Sequence, residues 1–150
     1  MTDGRLPDEQ GDWPVPDLAD TELAPFWAAT AQGRLLVQRC EACGARRWPP
    51  RAACAACDAQ PARLGWAEVS GAGRVYTWTE VHRSPLPHFR LLVPYTVALV
   101  ELHDDPRLRM LGLLDRGPQP GDLVTVGMPV RVHFRNVAAG VYLPTWQPGQ

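Results

Sequence analysis

What most limits this chain is a pair of Cys-x-x-Cys motifs, Cys40/Cys43 and Cys54/Cys57, separated by ten residues and holding every cysteine present. Each such motif makes a tight knuckle that aims two sulfurs at one point, and two knuckles together complete a tetrahedral zinc site. Gly44 follows the first pair, where a residue lacking Cβ takes positive φ freely. Asp58 holds the equivalent place after the second pair, a poorer but tolerated choice in the left-handed region. Four thiolates without a nearby His leave the metal no open position, so the expectation is structural rather than catalytic zinc. Two disulfides would need an oxidising compartment, yet the start Met1-Thr2-Asp3-Gly4-Arg5 has no apolar signal core. A redox motif would use one Cys-x-x-Cys, not two.

The chain's 150 residues suit one domain with a small appendage. All fifteen basic residues are Arg, which reads as GC-rich coding rather than mechanism. No apolar run approaches the ~20 residues of a membrane span, so a cytoplasmic protein without membrane contact is expected. Residues 1–22 carry seven acids against Arg5 alone, leaving a modestly basic remainder. Such a body suits an anionic ligand, a nucleic acid or simple solvation.

Three regions follow in order. Residues 1–20 read as an acidic, Pro-containing leader whose one sticky residue is Trp13. Residues 21–63 read as a helix and a zinc ribbon. The helix is expected over Thr21–Gln32, capped by Asp20 or Thr21 and stopped by Gly33. Leu23, Phe26, Trp27, Thr30 and Ala31 share one helical face. The adjacent rings of Phe26 and Trp27 ask for a groove, either in the chain's own ribbon or on a ligand or partner. Between the knuckles, Arg46, Arg47, Trp48 and Arg51 suit phosphate gripping and base stacking, or a solvated ribbon. Residues 64–150 turn to period two, with short strands between Gly and Pro corners and no second helical pattern. Val75, Thr77, Thr79 and Val81 alternate with Tyr76, Trp78, Glu80 and His82; Leu123–Val126 and Val130–Arg135 are further strand candidates. The fold expected is mainly β: an N-terminal helix, a rubredoxin-like ribbon, then a small closed barrel of the OB type.

Chemistry beyond the cysteines is sparse. His82, His88, His103 and His133 are scattered, and no phosphate cradle, carboxylate pair or Ser–His–Asp set stands out. No catalytic residue is assigned. The loop from His82 to Arg90, with Arg83, His88, Phe89 and Arg90, is the best candidate for ligand or partner contact.

The ordered segments LLVQRCEACGARRWPPRAACAAC, SGAGRVYTWTEVHR, VPYTVALVEL, VGMPVRVHF and YLPTWQP resemble a family of small acyl-CoA-associated proteins joining a zinc ribbon to an OB-fold. The match runs from about Thr21 to Pro148, with Asp58 replacing the family's usual Gly. The resemblance implies an accessory subunit of a thiolase-fold enzyme acting on acyl-CoA thioesters. The implied partner is a lipid-transfer-protein-like thiolase, or an aldolase that shortens sterol side chains by retro-aldol cleavage; it would hold the catalytic residues while both chains shape the acyl-CoA site. Two other readings stay open: a nucleic-acid-binding ribbon/OB module, and a free-standing CoA-binding protein. The acidic leader and the lack of Lys weigh against nucleic acid.

Overall fold

The computed structural model describes residues 13–115 and 123–149. Most of the expected acidic leader, and the expected turn at Pro120-Gly121-Asp122, lie outside the described residues.

The helix, α1, is Ala24–Thr30, shorter than the pattern suggested. Asp20 Oδ1 accepts the Glu22 N–H at 2.9 Å, so it caps the turn before the helix and not the helix itself. Gly33, at φ +71°, donates to Thr30 O while Arg34 N–H donates to Ala29 O, both at 3.0 Å. That paired closure is how a left-handed glycine satisfies the last carbonyls. The buried face is Phe26, Ala29 and Thr30; Ala31, expected inside, is exposed.

Strand β1 (Leu35–Cys40) is central in a three-stranded sheet, flanked by β2 (Arg46–Arg47) and β3 (Leu64–Val69), both antiparallel to it. Sequence alternation grouped Leu64–Val69 with the barrel strands, but its hydrogen bonds run along β1 from Leu64↔Cys40 to Val69↔Leu35.

The remaining strands are β4 (Ala72–Val81), β5 (Tyr95–Leu102), β6 (Arg109–Leu114), β7 (Pro129–Ala138) and β8 (Val141–Pro148). They form a closed five-stranded barrel in the order β4-β5-β6-β8-β7, as expected of the OB type. Val75 pairs with Val100 but Thr77 pairs with Leu99, leaving Tyr76 as the extra residue of a bulge. The bulge reverses the facing of the strand, so Val75 is buried while Thr77 and Thr79 are exposed. The expectation that these residues share one face is therefore corrected. Leu123–Val126 is not a strand; only Val124 of that segment is buried.

One apolar core joins the two sheets. Phe26, Leu35, Val37 and Val69 from the ribbon side pack with Val75, Val100, Met110 and Trp146 of the barrel. A second, smaller cluster lies on the barrel's outer face, where Trp13 packs over Phe89, Val137 and Val141.

Candidate metal centre

β1 delivers Cys40 to the end of the ribbon sheet, and the chain turns back at Gly44. The Gly44 N–H donates to Cys40 O and the Asp58 N–H to Cys54 O, each at 2.8 Å. These two turn residues have φ of +76° and +55°, so both knuckles adopt the same left-handed closure, once with Gly and once with Asp. The second knuckle is fastened to β1 by the buried Gln38 side chain. It accepts from Arg51 N–H at 3.0 Å and donates to Arg51 O at 2.9 Å. This amide clasp has no sequence signature, and Gln38 was not singled out above.

The four Sγ atoms lie within 4.8 Å of one another. Cys40–Cys57 and Cys43–Cys54 are each 3.7 Å apart, too long for disulfides. A tetrahedron with Zn–S bonds of ~2.3 Å has edges of ~3.8 Å. The donor set therefore fits zinc. Without a cation the thiols disagree with one another. The Ala56 N–H, helped by that of Cys57, lowers the Cys54 pKa to about 7. Cys57 also receives an amide, from Ala59, but Cys43 with burial and the other two sulfurs pushes it up to about 12. A cation bound among the sulfurs would favour the Cys57 thiolate, which its neighbours disfavour.

The other sequence candidates separate into two groups. Phe26 is 1% exposed, with ring centroids of Trp48 and Trp27 at 4.5 and 4.8 Å and Trp66 at 6.4 Å. Phe26 is thus a core residue, not a ligand contact, and the half-buried Trp48 lies against it. Arg46 and Arg47 are half-buried on β2. In the loop after β4, His82, Arg83 and Arg90 line a cleft of about 570 Å³ together with Ser84, Pro85 and Val93. His82 Nε2 is 2.9 Å from Glu80 Oε1, and Arg90 folds back to donate to Pro85 O at 3.0 Å. His88 and Phe89 turn away from that cleft toward Trp13, at centroid distances of 4.9 and 5.3 Å. Phe89 is buried and serves the outer cluster, which corrects its reading as a contact residue.

Known families account for most of this architecture. Residues 27–61 match the family model described as ChsH2, rubredoxin-like zinc ribbon domain, and residues 66–135 match ChsH2, C-terminal OB-fold domain. The chain belongs to the ChsH2/DUF35 family. A DUF35 domain-containing scaffold protein of Methanocaldococcus jannaschii is 32% identical, over 80% of this chain and 82% of its own length. A probable enoyl-CoA hydratase alpha subunit of Thermomonospora curvata is 36% identical over 82% of this chain. The chain spans only 36% of that subunit's length. Among solved structures, a chain of an Ltp2-ChsH2(DUF35) aldolase superposes with a TM-score of 0.75 at 33% identity, covering 89% of this chain and 98% of its own.

Proposed function

We propose that this chain is an accessory subunit of a thiolase-fold enzyme acting on acyl-CoA thioesters, with the bond-making residues supplied by the partner. The observation that carries the reading is the near-complete overlap with a chain of the Ltp2-ChsH2(DUF35) aldolase. An aldolase complex that cleaves a sterol side chain as its CoA thioester is the favoured version; a thiolase complex is the other. The relative named as an enoyl-CoA hydratase subunit supports an acyl-CoA substrate. The cleft at His82, Arg83 and Arg90 is where contact with the partner or the thioester is proposed.

In this reading Cys40, Cys43, Cys54 and Cys57 hold one structural zinc, which cross-links the knuckles. Such binding is worth on the order of 10–16 kcal/mol in small zinc peptides, enough to decide whether the ribbon folds. A tetrathiolate centre needs reduced cysteines, which favours a cytoplasmic setting. Among the described residues no helix is long and apolar enough to cross a membrane. The nucleic-acid reading draws no support from Trp48, whose ring is engaged by Phe26.

The test is co-expression with an Ltp2-type thiolase-fold protein, followed by size-exclusion chromatography, zinc analysis and acyl-CoA turnover. A zinc-containing heteromer active only with both chains supports the proposal. A chain that stays monomeric beside that protein, with turnover unaffected by its presence, refutes it.

A further inference from the structure

A cleft of about 230 Å³ opens between the ribbon and the β5–β6 hairpin, and its lining includes Gln38, Cys40, Cys54, Arg46, Arg47 and Arg107. Two of the four candidate ligands thus share a cleft with three arginine residues. Arg46 and Arg47 are half-buried, and among the described residues neither side chain has a hydrogen-bond or ion-pair partner. Removing a cation partly from water without a counter-charge is costly, so something nearby must offset it. Arg107 comes from the barrel side, held by Asp105 at 2.8 and 3.0 Å. Asp105 is the one carboxylate in this group. Its pKa is lowered first by the Arg107 side chain and, more weakly and through space, by Arg46. A zinc ion with four thiolates carries two negative charges, which nearby arginines would offset.

We propose that Arg46 and Arg47, with Arg107 brought over by the barrel, form the electrostatic counterweight of the tetrathiolate centre and set how tightly it retains metal. They do so through space, since no guanidinium hydrogen bond to sulfur is formed among the described residues. The role belongs to charge rather than shape, and it ties metal retention in the ribbon to the position of a barrel hairpin. This inference rests on the zinc reading above. The two fail differently, because a full-length wild-type chain that takes up no zinc removes both, whereas the variants below test only the arginines.

The experiment uses the full-length zinc-loaded chain and transfer of its zinc to a chromophoric chelator. Outer-shell partners of a metal site typically account for about 10–100-fold in affinity. The double variant Arg46→Gln/Arg47→Gln is expected to lose at least about tenfold in retention, within that range. Arg46→Lys/Arg47→Lys, which keeps the charge, should stay within about threefold of wild type, and Arg131→Gln on the barrel exterior should match it. Cobalt-substituted protein separates charge from shape: the tetrathiolate absorption bands should be unchanged in the Gln double variant. Wild-type retention in that variant would overturn the proposal. So would altered cobalt bands, which would make the arginines structural. Titration with inorganic pyrophosphate covers the competing use of the cleft. Pyrophosphate binding that needs Arg46 and Arg47 while their loss leaves zinc retention untouched would make it an anion receptor, against the proposal.

Discussion

Arg135 donates to the Asp115 carboxylate at 2.8 Å, with both side chains less than a tenth exposed. The pair lies on the outside of the barrel, yet it is buried, and Trp13 lies beside it; the guanidinium carbon is 5.7 Å from the centroid of that ring. A charge pair removed from water this way depends on both members. Asp115→Ala, which removes the carboxylate that accepts from this guanidinium at 2.8 Å, should cost about 1.5–3 kcal/mol, the worth of a hydrogen bond to a charged group. Asp115→Leu/Arg135→Met should recover most of that loss, since an apolar pair of similar volume avoids the desolvation cost. Urea unfolding of the single and double variants gives the comparison; a double variant no better than the single one would contradict it.

Metal uptake should be driven by rising pH, and the sign follows from the two perturbed thiols. Above about 7 Cys54 is already a thiolate, whereas Cys57, pushed up to about 12, remains protonated until a cation arrives. Each zinc bound near pH 8 should therefore release about one proton from Cys57, with further release from Cys54 below neutrality. Competition titrations from about pH 6 to 9 should show affinity climbing about tenfold per unit or more. An affinity independent of pH would rule this account out.

Cys40→Ser should abolish stoichiometric zinc binding and loosen the two knuckles, with hydrogen-exchange protection lost there first and less in the barrel strands that share the core. Metal analysis and exchange on the same sample read both effects. Full zinc content in this variant would show that Cys40 is not a ligand.

Trp48 offers a clean contrast between packing and recognition. Its ring centroid is 4.5 Å from that of Phe26, so Trp48→Ala should cost about 3 kcal/mol by opening a cavity beneath the helix. A stacking platform for nucleic acid would instead lose single-strand affinity with little change in stability. Thermal unfolding and a low-salt binding titration distinguish the two outcomes.

Trp13→Ala should likewise cost about 3 kcal/mol, because Trp13 is 5% exposed and meets Phe89 at 5.3 Å. Faster hydrogen exchange should be confined to residues 88–91 and the outer face of β7. Uniform acceleration over the whole barrel would contradict a local role.

Much of this molecule was legible in its sequence where short-range chemistry decides. The two Cys-x-x-Cys spacings, the turn residues Gly44 and Asp58 and the helix stop at Gly33 each act within a few residues, and all took the expected conformations. Alternation and Gly/Pro corners located β4 and β7 but not β8, and they misplaced Leu123–Val126 and the strand paired with β1. Periodicity counts residues, however, and does not see register. One bulge at Tyr76 changed the facing of β4 after Val75. What covers a strand face also lies outside any local pattern. Arg135 alternates with the apolar residues of β7 but is buried, with Trp13, 122 residues earlier in the sequence, among its neighbours. Phe26, which asked for a groove, and Trp48, which suited base stacking, meet each other at 4.5 Å, a pairing no local pattern shows. The sequence by itself determined the clustering of the four cysteines and the class of fold, because those rest on local geometry. Only tertiary structure decided which aromatic and charged groups remain available to a partner, because burial depends on contacts between residues far apart in the chain.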